Sequence, residues 1–366
     1  MSRVIVFAGG GTAGHVEPAL AVAREWMKAH PSDRCIFLGT REGLEATLVP
    51  AAGFELSLIT KVRIPRKFSL ALLKVPQSLM GALLESRTAI NGASLLIGFG
   101  GYVSAPAYLA ARVSGIPIVI HEANAKPGLA NRMGALLTPY LGLAQPIGSS
   151  RFRTAEITGL PLREDVAAAL KSAEGRWDQV RREARESLGF KVDKPLLFIF
   201  GGSQGSVAIN ATINSIQKYC DDKSIQMLHA VGKSNTLPTA TKSYKPVSYV
   251  SDMATAYLAA DLVIARSGAV TCSEVGALGR YALFVPLMIG NGEQRVNANE
   301  LIAINRAEVI NQEQFSSEWF TNNIDRLLAK SASSASAGSM KDLAASSNIV
   351  HLMEKALAPK KGADRR

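Results

Sequence analysis

Two glycine-rich loops of one design, each behind a short apolar run, constrain this chain more than any other feature. The first reads Val4-Ile-Val-Phe-Ala-Gly-Gly-Gly-Thr-Ala-Gly-His15, the second Leu196-Leu-Phe-Ile-Phe-Gly-Gly-Ser-Gln-Gly-Ser206. They lie roughly 190 residues apart, about one domain length. Each pattern is a buried strand, a tight glycine turn and the start of a helix. Such a turn lets backbone approach a ligand and aims N–H groups at it, while the helix start adds about half a positive charge. The chain is therefore expected to be α/β, with two Rossmann-like parallel-sheet domains facing a deep cleft and an anionic ligand between them.

The 366 residues, 47% of them hydrophobic, can fill two cores. A formal net charge of +11 implies an anionic partner: a nucleotide, a nucleic acid or an acidic membrane. Cys35, Cys220 and Cys272 cannot all pair and show no metal-ligand spacing. With no apolar core of a signal peptide at the N-terminus, they point to a reducing cytosol. The uncharged stretch 88–111 carries Gly92, Gly98, Gly100, Gly101 and Pro106, so it reads as a covered parallel strand with its loop, not as a membrane span. A membrane, if met, is met from the surface.

Apolar runs alternate with helical patterns throughout, the signature of parallel sheets. Strands are expected over 4–8, 35–38, 54–59, 95–98, 116–120 and 141–144, then over 196–200, 226–230, 247–250, 262–265 and 282–285. Helices are expected between them, as over 18–29, 102–113 and 269–278. Gly159-Leu-Pro-Leu-Arg163 marks the boundary, giving domains over 1–160 and 161–339. The charged stretch 174–186 reads as an exposed helix opening the second domain. A helix within 340–358 is expected to pack back on the first domain, and 359–366 to be a disordered tail.

Gly9-Gly-Gly-Thr-Ala-Gly14 fits G-x-G-x-x-G after a strand, which admits a dinucleotide site. That fingerprint wants an acidic residue ending the second strand. Here the strand ends Leu38-Gly-Thr-Arg41, and Glu42 comes late. Glycines serving only tight turns remain an alternative for either loop alone; their recurrence in matching context favours a ligand. A third turn, Gly98-Phe-Gly-Gly-Tyr-Val-Ser104, also follows a strand, where open α/β sheets bind ligands. Arg266-Ser-Gly-Ala-Val-Thr-Cys-Ser-Glu274 again sets small residues at a helix start. The amides of Ala269, Val270 and Thr271 would cradle a diphosphate, with the hydroxyls of Ser267 and Thr271 beside them. Glu274 would accept both hydroxyls of a ribose, or would only complement the helix dipole. No Asp-x-Asp occurs in the chain, so helix dipoles, amides and a cation such as Arg163 would stabilise a departing phosphate without metal or cofactor.

His15 stands in the first turn of its helix, where the dipole disfavours the imidazolium and leaves a base ready for a proton. It would otherwise hydrogen-bond a loop carbonyl only; His121 and Glu122 are the other candidates. Lys61-Val-Arg-Ile-Pro-Arg-Lys67 gathers four cations in seven positions, ahead of Phe68, Leu70 and Leu72. It is either a solvated turn or a peripheral membrane patch. Four cations at about 1 kcal/mol each give about millimolar binding. Ile64, Phe68 or Leu72 would then have to enter the lipid as well. The aromatic interleaving that stacks bases is absent, which argues against nucleic acid.

Taken together, the motifs over 10–18, 98–104, 121–124, 201–206, 266–274 and 292–297 resemble those of the MurG family, the bacterial peptidoglycan N-acetylglucosaminyltransferases. The resemblance spans nearly the whole chain. It implies a GT-B fold and an inverting transfer of GlcNAc from UDP-GlcNAc to the 4-hydroxyl of the MurNAc-pentapeptide of lipid I, the undecaprenyl-diphosphate-linked precursor, giving lipid II. It also implies a peripheral protein on the cytoplasmic face of the cell membrane, near the cell-wall and division machinery. By this similarity Thr12, Ala13 and Gly14 line the donor site and His15 is the base. Asn124 and Gln294 contact the donor sugar, and Arg163 and Ser203 lie near the phosphates, with Gln204 beside them. Val250 presents its backbone to uracil, Ala269, Val270 and Thr271 complete the UDP site, and Glu274 holds the ribose. Lys61, Arg63, Ile64, Arg66, Lys67, Phe68 and Leu72 form the membrane patch. Ala13, Ala123 and Leu160 depart from the family's commoner glycine, glutamine and asparagine; Ala13 is tolerable if its φ is negative. A related-fold enzyme that epimerises or hydrolyses UDP-GlcNAc, and a non-catalytic nucleotide-sugar-binding membrane protein, are the alternatives.

Overall fold

The computed structural model describes residues 2–61, 75–148, 150–288, 291–334 and 337–359. The chain divides into two compact units, with the crossing between Pro161 and Leu162 and a return to the first unit at Leu343.

The first unit is built on seven strands: β1 (Val4–Gly9), β2 (Arg34–Gly39), β3 (Glu55–Leu58), β4 (Leu95–Gly100), β5 (Ile118–Glu122), β6 (Leu141–Leu143) and β7 (Glu156–Ile157). They pair in parallel in the order β3-β2-β1-β4-β5-β6-β7. Alternate residues of β1 face opposite layers, as a period of two requires. Ile5 and Phe7 join Val16, Leu20 and Trp26 of the helix Ala13–Ala29, together with Ile349, Leu352 and Met353 of the C-terminal helix Ala345–Leu357. Val6 and Ala8 join Tyr108, Ile118 and Ile120 on the other face. The C-terminal helix is tied down by Asn348 Nδ2 donating to the Thr158 carbonyl (3.1 Å) and by ion pairs of Glu354 with His30 and of Lys355 with Glu156.

The second unit, Leu162–Asp342, carries β8 (Leu196–Phe200), β9 (Gln226–Ala230), β10 (Tyr244–Val247), β11 (Leu262–Ala265), β12 (Tyr281–Phe284) and β13 (Ala307–Val309). These are parallel in the order β10-β9-β8-β11-β12-β13. In each sheet the strand order reverses where the first strand of the unit meets the fourth, β1 beside β4 and β8 beside β11. Loops leaving strand ends at such a switch point form a crevice. All four glycine or small-residue loops singled out above leave from these four strands.

Two expectations need correction. The strand expected over 247–250 lies instead at Tyr244–Val247. Tyr244 is fully buried and its hydroxyl sits 2.8 Å from His229 Nδ1, so this aromatic, and not the apolar run after it, sets the register. Pro246 is tolerated there because β10 is an edge strand. The charged helix runs Trp177–Ser187, behind another at Glu164–Ala173, and is not simply exposed. Arg185 is 7% exposed and donates to the carbonyls of Ala259 and Val192 while pairing with Asp261.

Candidate functional site

In the first unit the glycine turn after β1 delivers the chain into the helix Ala13–Ala29 through an extended Thr12. His15 falls in its first turn, half-buried. Nδ1 lies 3.2 Å from the Gly10 carbonyl oxygen and 3.3 Å from Thr12 Oγ1. A carbonyl only accepts, so the Gly10 contact assigns the hydrogen to Nδ1, and the neutral ring then carries its lone pair on Nε2. Nε2 faces the turn after β4, where a Cβ on Gly100 would stand 3.3 Å from it. Among the described residues only Ser224 and Asn305 combine a side chain with positive φ, so Ala13 carries its methyl without strain.

One N–H of this turn is already engaged within the protein. The Gly11 N–H donates to Glu45 Oε2 at 2.8 Å. Glu45 is fully buried at the start of the helix Glu45–Ala51, and its Oε1 accepts from the Thr40 amide and hydroxyl at 3.0 and 3.2 Å. A Cβ on Gly43 would collide with this carboxylate and one on Gly39 with the Glu45 Cγ and with Leu56, so both glycines make room for the side chain. Sequence reasoning missed Glu45; the available signal was a carboxylate behind two glycines that no turn motif explains. Glu42 is exposed and within 3.4 Å of Lys61 Nζ, a surface pair that supplies no ribose ligand at the end of β2.

At the end of β5, Glu122 is 2% exposed and saturated by donors. Oε1 accepts from the Asn124 amide and side chain at 2.9 and 3.0 Å, Oε2 from Gly128 N and Asn131 Nδ2, both at 3.0 Å. It therefore orients Asn124 and is not available as a base. His121 is 1% exposed, with Nε2 2.9 Å from the Gly159 carbonyl, and burial lowers its pKa to about 4. Of the three candidate bases His15 is half-buried, whereas His121 and Glu122 are buried.

In the second unit, β8 turns through Gly201–Gly205 into the helix Val207–Asp222, capped by Ser206 Oγ on the Ile209 N–H. Gly205 has φ +76°, and a Cβ there would collide with the Val231 carbonyl. Ser203 is half-buried and Gln204 exposed on this turn. Arg266, at the end of β11, is buried and donates to Ser206 Oγ (2.7 Å), Gln312 Oε1 (2.6 Å) and the Val285 carbonyl (2.8 Å). It ties the two loops together. A cavity of about 450 Å³ opens here, lined by Gly201, Gly205, Ser206, Ala208, Arg266 and Gln312 among others.

Beyond Arg266 the helix Ala269–Ala277 starts from an extended Gly268 with no side-chain cap. Ala269 and Thr271 are half-buried and Val270 is buried, so their amides sit at a helix start. Ser267, expected beside them, is fully buried. Glu274 is 1% exposed: Tyr257 Oη donates to Oε2 at 3.0 Å and Arg163 Nε stands 3.0 Å from Oε1. Burial, with Glu274 adding to it, holds the Tyr257 phenol well above its ordinary pKa, so it remains a donor. Arg163, expected near phosphates, is thus brought to the ribose candidate. Val250 lies in the loop between β10 and the helix Met253–Ala259. Gln294 Oε1 accepts from the Leu287 N–H at 2.9 Å, which orients its amide.

Of the expected membrane patch only Lys61 is described, with its ammonium 4.7 Å from the Tyr102 ring centroid. Arg63, Ile64, Arg66, Lys67, Phe68 and Leu72 lie outside the described residues, as does 360–366 of the expected tail. Among the described residues no helix is long and apolar enough to cross a membrane.

The glycosyltransferase family 28 N-terminal domain matches residues 5–137 and the family 28 C-terminal domain residues 196–353. A protein of Streptomyces avermitilis named UDP-N-acetylglucosamine–N-acetylmuramyl-(pentapeptide) pyrophosphoryl-undecaprenol N-acetylglucosamine transferase is 41% identical over 89% of each chain. Proteins of the same name from Thermobifida fusca and Corynebacterium glutamicum are 42% and 44% identical, over 91% and 86% of this chain and 90% and 86% of theirs. The crystal structure of Acinetobacter baumannii MurG superposes with a TM-score of 0.67 at 27% identity, covering 97% of this chain and all of that one. A UDP-GlcNAc 2-epimerase from Neisseria meningitidis shares the fold, with a TM-score of 0.61 at 14% identity over 97% of this chain and all of that one.

Proposed function

The chain belongs to glycosyltransferase family 28, and within it to the MurG family of GT-B-fold transferases, and on that premise we propose that it moves GlcNAc from UDP-GlcNAc to the 4-hydroxyl of the MurNAc-pentapeptide of lipid I, giving lipid II. The observation that carries the chemistry is the contact of His15 Nδ1 with the Gly10 carbonyl, which leaves Nε2 as the proton acceptor.

In the step itself the acceptor oxygen attacks C1 of GlcNAc and gives its proton to His15 Nε2. The bond from C1 to the β-phosphate oxygen breaks, and its electron pair leaves with UDP. Attack on the face opposite the leaving group inverts the anomeric carbon. A positioned base is worth about 10²–10⁴-fold. The charge growing on UDP meets the amides and dipole of the helix start at Ala269, Val270 and Thr271 and of the second glycine loop at Ser203 and Gln204. Glu274 takes the ribose hydroxyls, with Arg163 alongside its carboxylate, and the Val250 backbone takes uracil. Gln294 and Asn124 bind the sugar, and Thr12, Ala13 and Gly14 complete the donor site. We assign the protein to the cytoplasmic face of the bacterial membrane, held peripherally through Lys61, Arg63, Ile64, Arg66, Lys67, Phe68 and Leu72.

The test is incubation with labelled UDP-GlcNAc with and without lipid-linked acceptor, for the wild type and His15→Ala. Acceptor-dependent label transfer, lost by two orders of magnitude or more in His15→Ala with UDP affinity retained, supports the reading. Near-normal transfer by His15→Ala removes the base assignment, and acceptor-independent release of the sugar removes the transferase.

A further inference from the structure

The peptide joining Gly10 to Gly11 is held from both sides. Its N–H donates to Glu45 Oε2 at 2.8 Å and its carbonyl accepts from His15 Nδ1 at 3.2 Å. Two of the groups within hydrogen-bonding distance of Glu45, the amides of Gly11 and Thr40, only donate, and the third, the Thr40 hydroxyl, can donate or accept. Each carboxylate oxygen of Glu45 thus accepts from a backbone amide, with the side chain fully buried. The cavity is shaped for it, since a Cβ on Gly10, Gly39 or Gly43 would press on this one side chain. Closing a glycine turn requires no charge. A buried carboxylate, costly to bring out of water, argues for a further role.

We propose that Glu45 is a positioning residue for His15, acting through the Gly10–Gly11 peptide. The bond from the Gly11 N–H to Glu45 Oε2 fixes the peptide plane, so the Gly10 carbonyl is aimed at Nδ1. Polarisation of the same peptide strengthens its oxygen as an acceptor. Both effects hold the imidazole as its Nδ1–H tautomer and keep the Nε2 lone pair on the substrate side. The role is that of the aspartate that orients a catalytic histidine in a hydrolase triad, with one peptide group interposed. This inference rests on His15 being the base.

The test compares wild type, Glu45→Gln and Glu45→Asp in three readouts: ¹⁵N chemical shifts of labelled His15, kcat with the KM for UDP-GlcNAc, and the same kinetics in a His15→Ala background. The expected wild-type spectrum shows the Nδ1–H tautomer, and Glu45→Gln shows a mixture. Its kcat falls about tenfold or more with KM within about twofold, and Glu45→Asp recovers part of the loss. In the His15→Ala background Glu45→Gln costs nothing further, because the two residues act as a unit. A wild-type Nε2–H tautomer, or a Glu45→Gln loss of equal size with and without His15, overturns the inference. If Glu45→Gln does not fold, Glu45→Asp and the wild-type spectrum decide it by the same criteria. An inactive His15→Ala beside a Glu45→Gln variant of wild-type rate sinks this inference alone. An active His15→Ala sinks the base assignment beneath it.

Discussion

Arg163 Nε and Glu274 Oε1 lie 3.0 Å apart, with the carboxylate buried and the guanidinium 15% exposed, although 111 positions separate them in the chain. This pair joins the first residues of the second unit to the helix that starts at Ala269. The carboxylate proposed to hold the ribose is thereby set in place before any nucleotide arrives.

Glu274→Gln removes the charge but keeps the shape. A hydrogen bond to a charged group contributes about 1.5–3 kcal/mol, so UDP is expected to bind about 10–100-fold more weakly by calorimetric titration. Truncation to alanine also strands the Arg163 charge, and breaking a buried pair costs about 3–5 kcal/mol, with the lower end expected for a partner that touches solvent. UDP affinity unchanged in Glu274→Gln would remove the ribose assignment.

Gly205→Ala places a methyl at φ +76° and against the Val231 carbonyl. Positive φ alone costs about 1–2 kcal/mol, and the collision adds to it. Denaturant unfolding should show that loss, and UDP affinity should fall because the second glycine turn cannot keep its shape. A variant as stable as the wild type would show that the turn relaxes freely.

Burial lowers the pKa of His121 and of His229 from 6.5 to about 4, one in each unit. Both are neutral when folded, and the unfolded chain takes up the protons. Stability is therefore fully present above about pH 6.5 and is lost as pH falls toward 4, by up to about 1.4 kcal/mol per pH unit for each ring. Glu308 is held down to about 2, chiefly by Arg326, and its contribution is lost only below pH 4.5. Unfolding free energies measured between pH 7.5 and 5 should thus decline, and His229→Gln should decline less steeply. A flat profile would contradict the buried neutral rings.

Each cation near an anionic surface contributes about 1 kcal/mol. Replacing Lys61, Arg63, Arg66 and Lys67 together with glutamine should weaken binding to phosphatidylglycerol-containing vesicles by about a thousandfold, leaving UDP binding unchanged. Vesicle binding insensitive to these changes, or to salt, would place the membrane contact elsewhere.

What could be read in the chain beforehand was local. The glycine turns after β1, β8 and β4 declare themselves because Gly11, Gly202 and Gly100 have φ of +94°, +91° and +97°, which few other residues adopt. The fully buried strands at Leu196–Phe200 and Leu262–Ala265 show as apolar runs. The misses are long-range or short. Glu45 reaches the turn at Gly11 from 34 positions away, and no periodicity announces such a contact. The pairing of Arg163 with Glu274 is invisible for the same reason. Strand β7 spans two residues, both exposed, too few for a period of two to register. Tyr244 set the register of β10 by burying one ring, against the pull of the apolar run that follows.

The most direct measurement of the central claim is a carbon NMR spectrum of the product formed from UDP-GlcNAc labelled at C1 and a lipid-linked muramoyl acceptor. The account predicts a single β-linked anomeric carbon on the acceptor sugar, in one-to-one ratio with released UDP. Free GlcNAc, its 2-epimer or an α-linked product would contradict it.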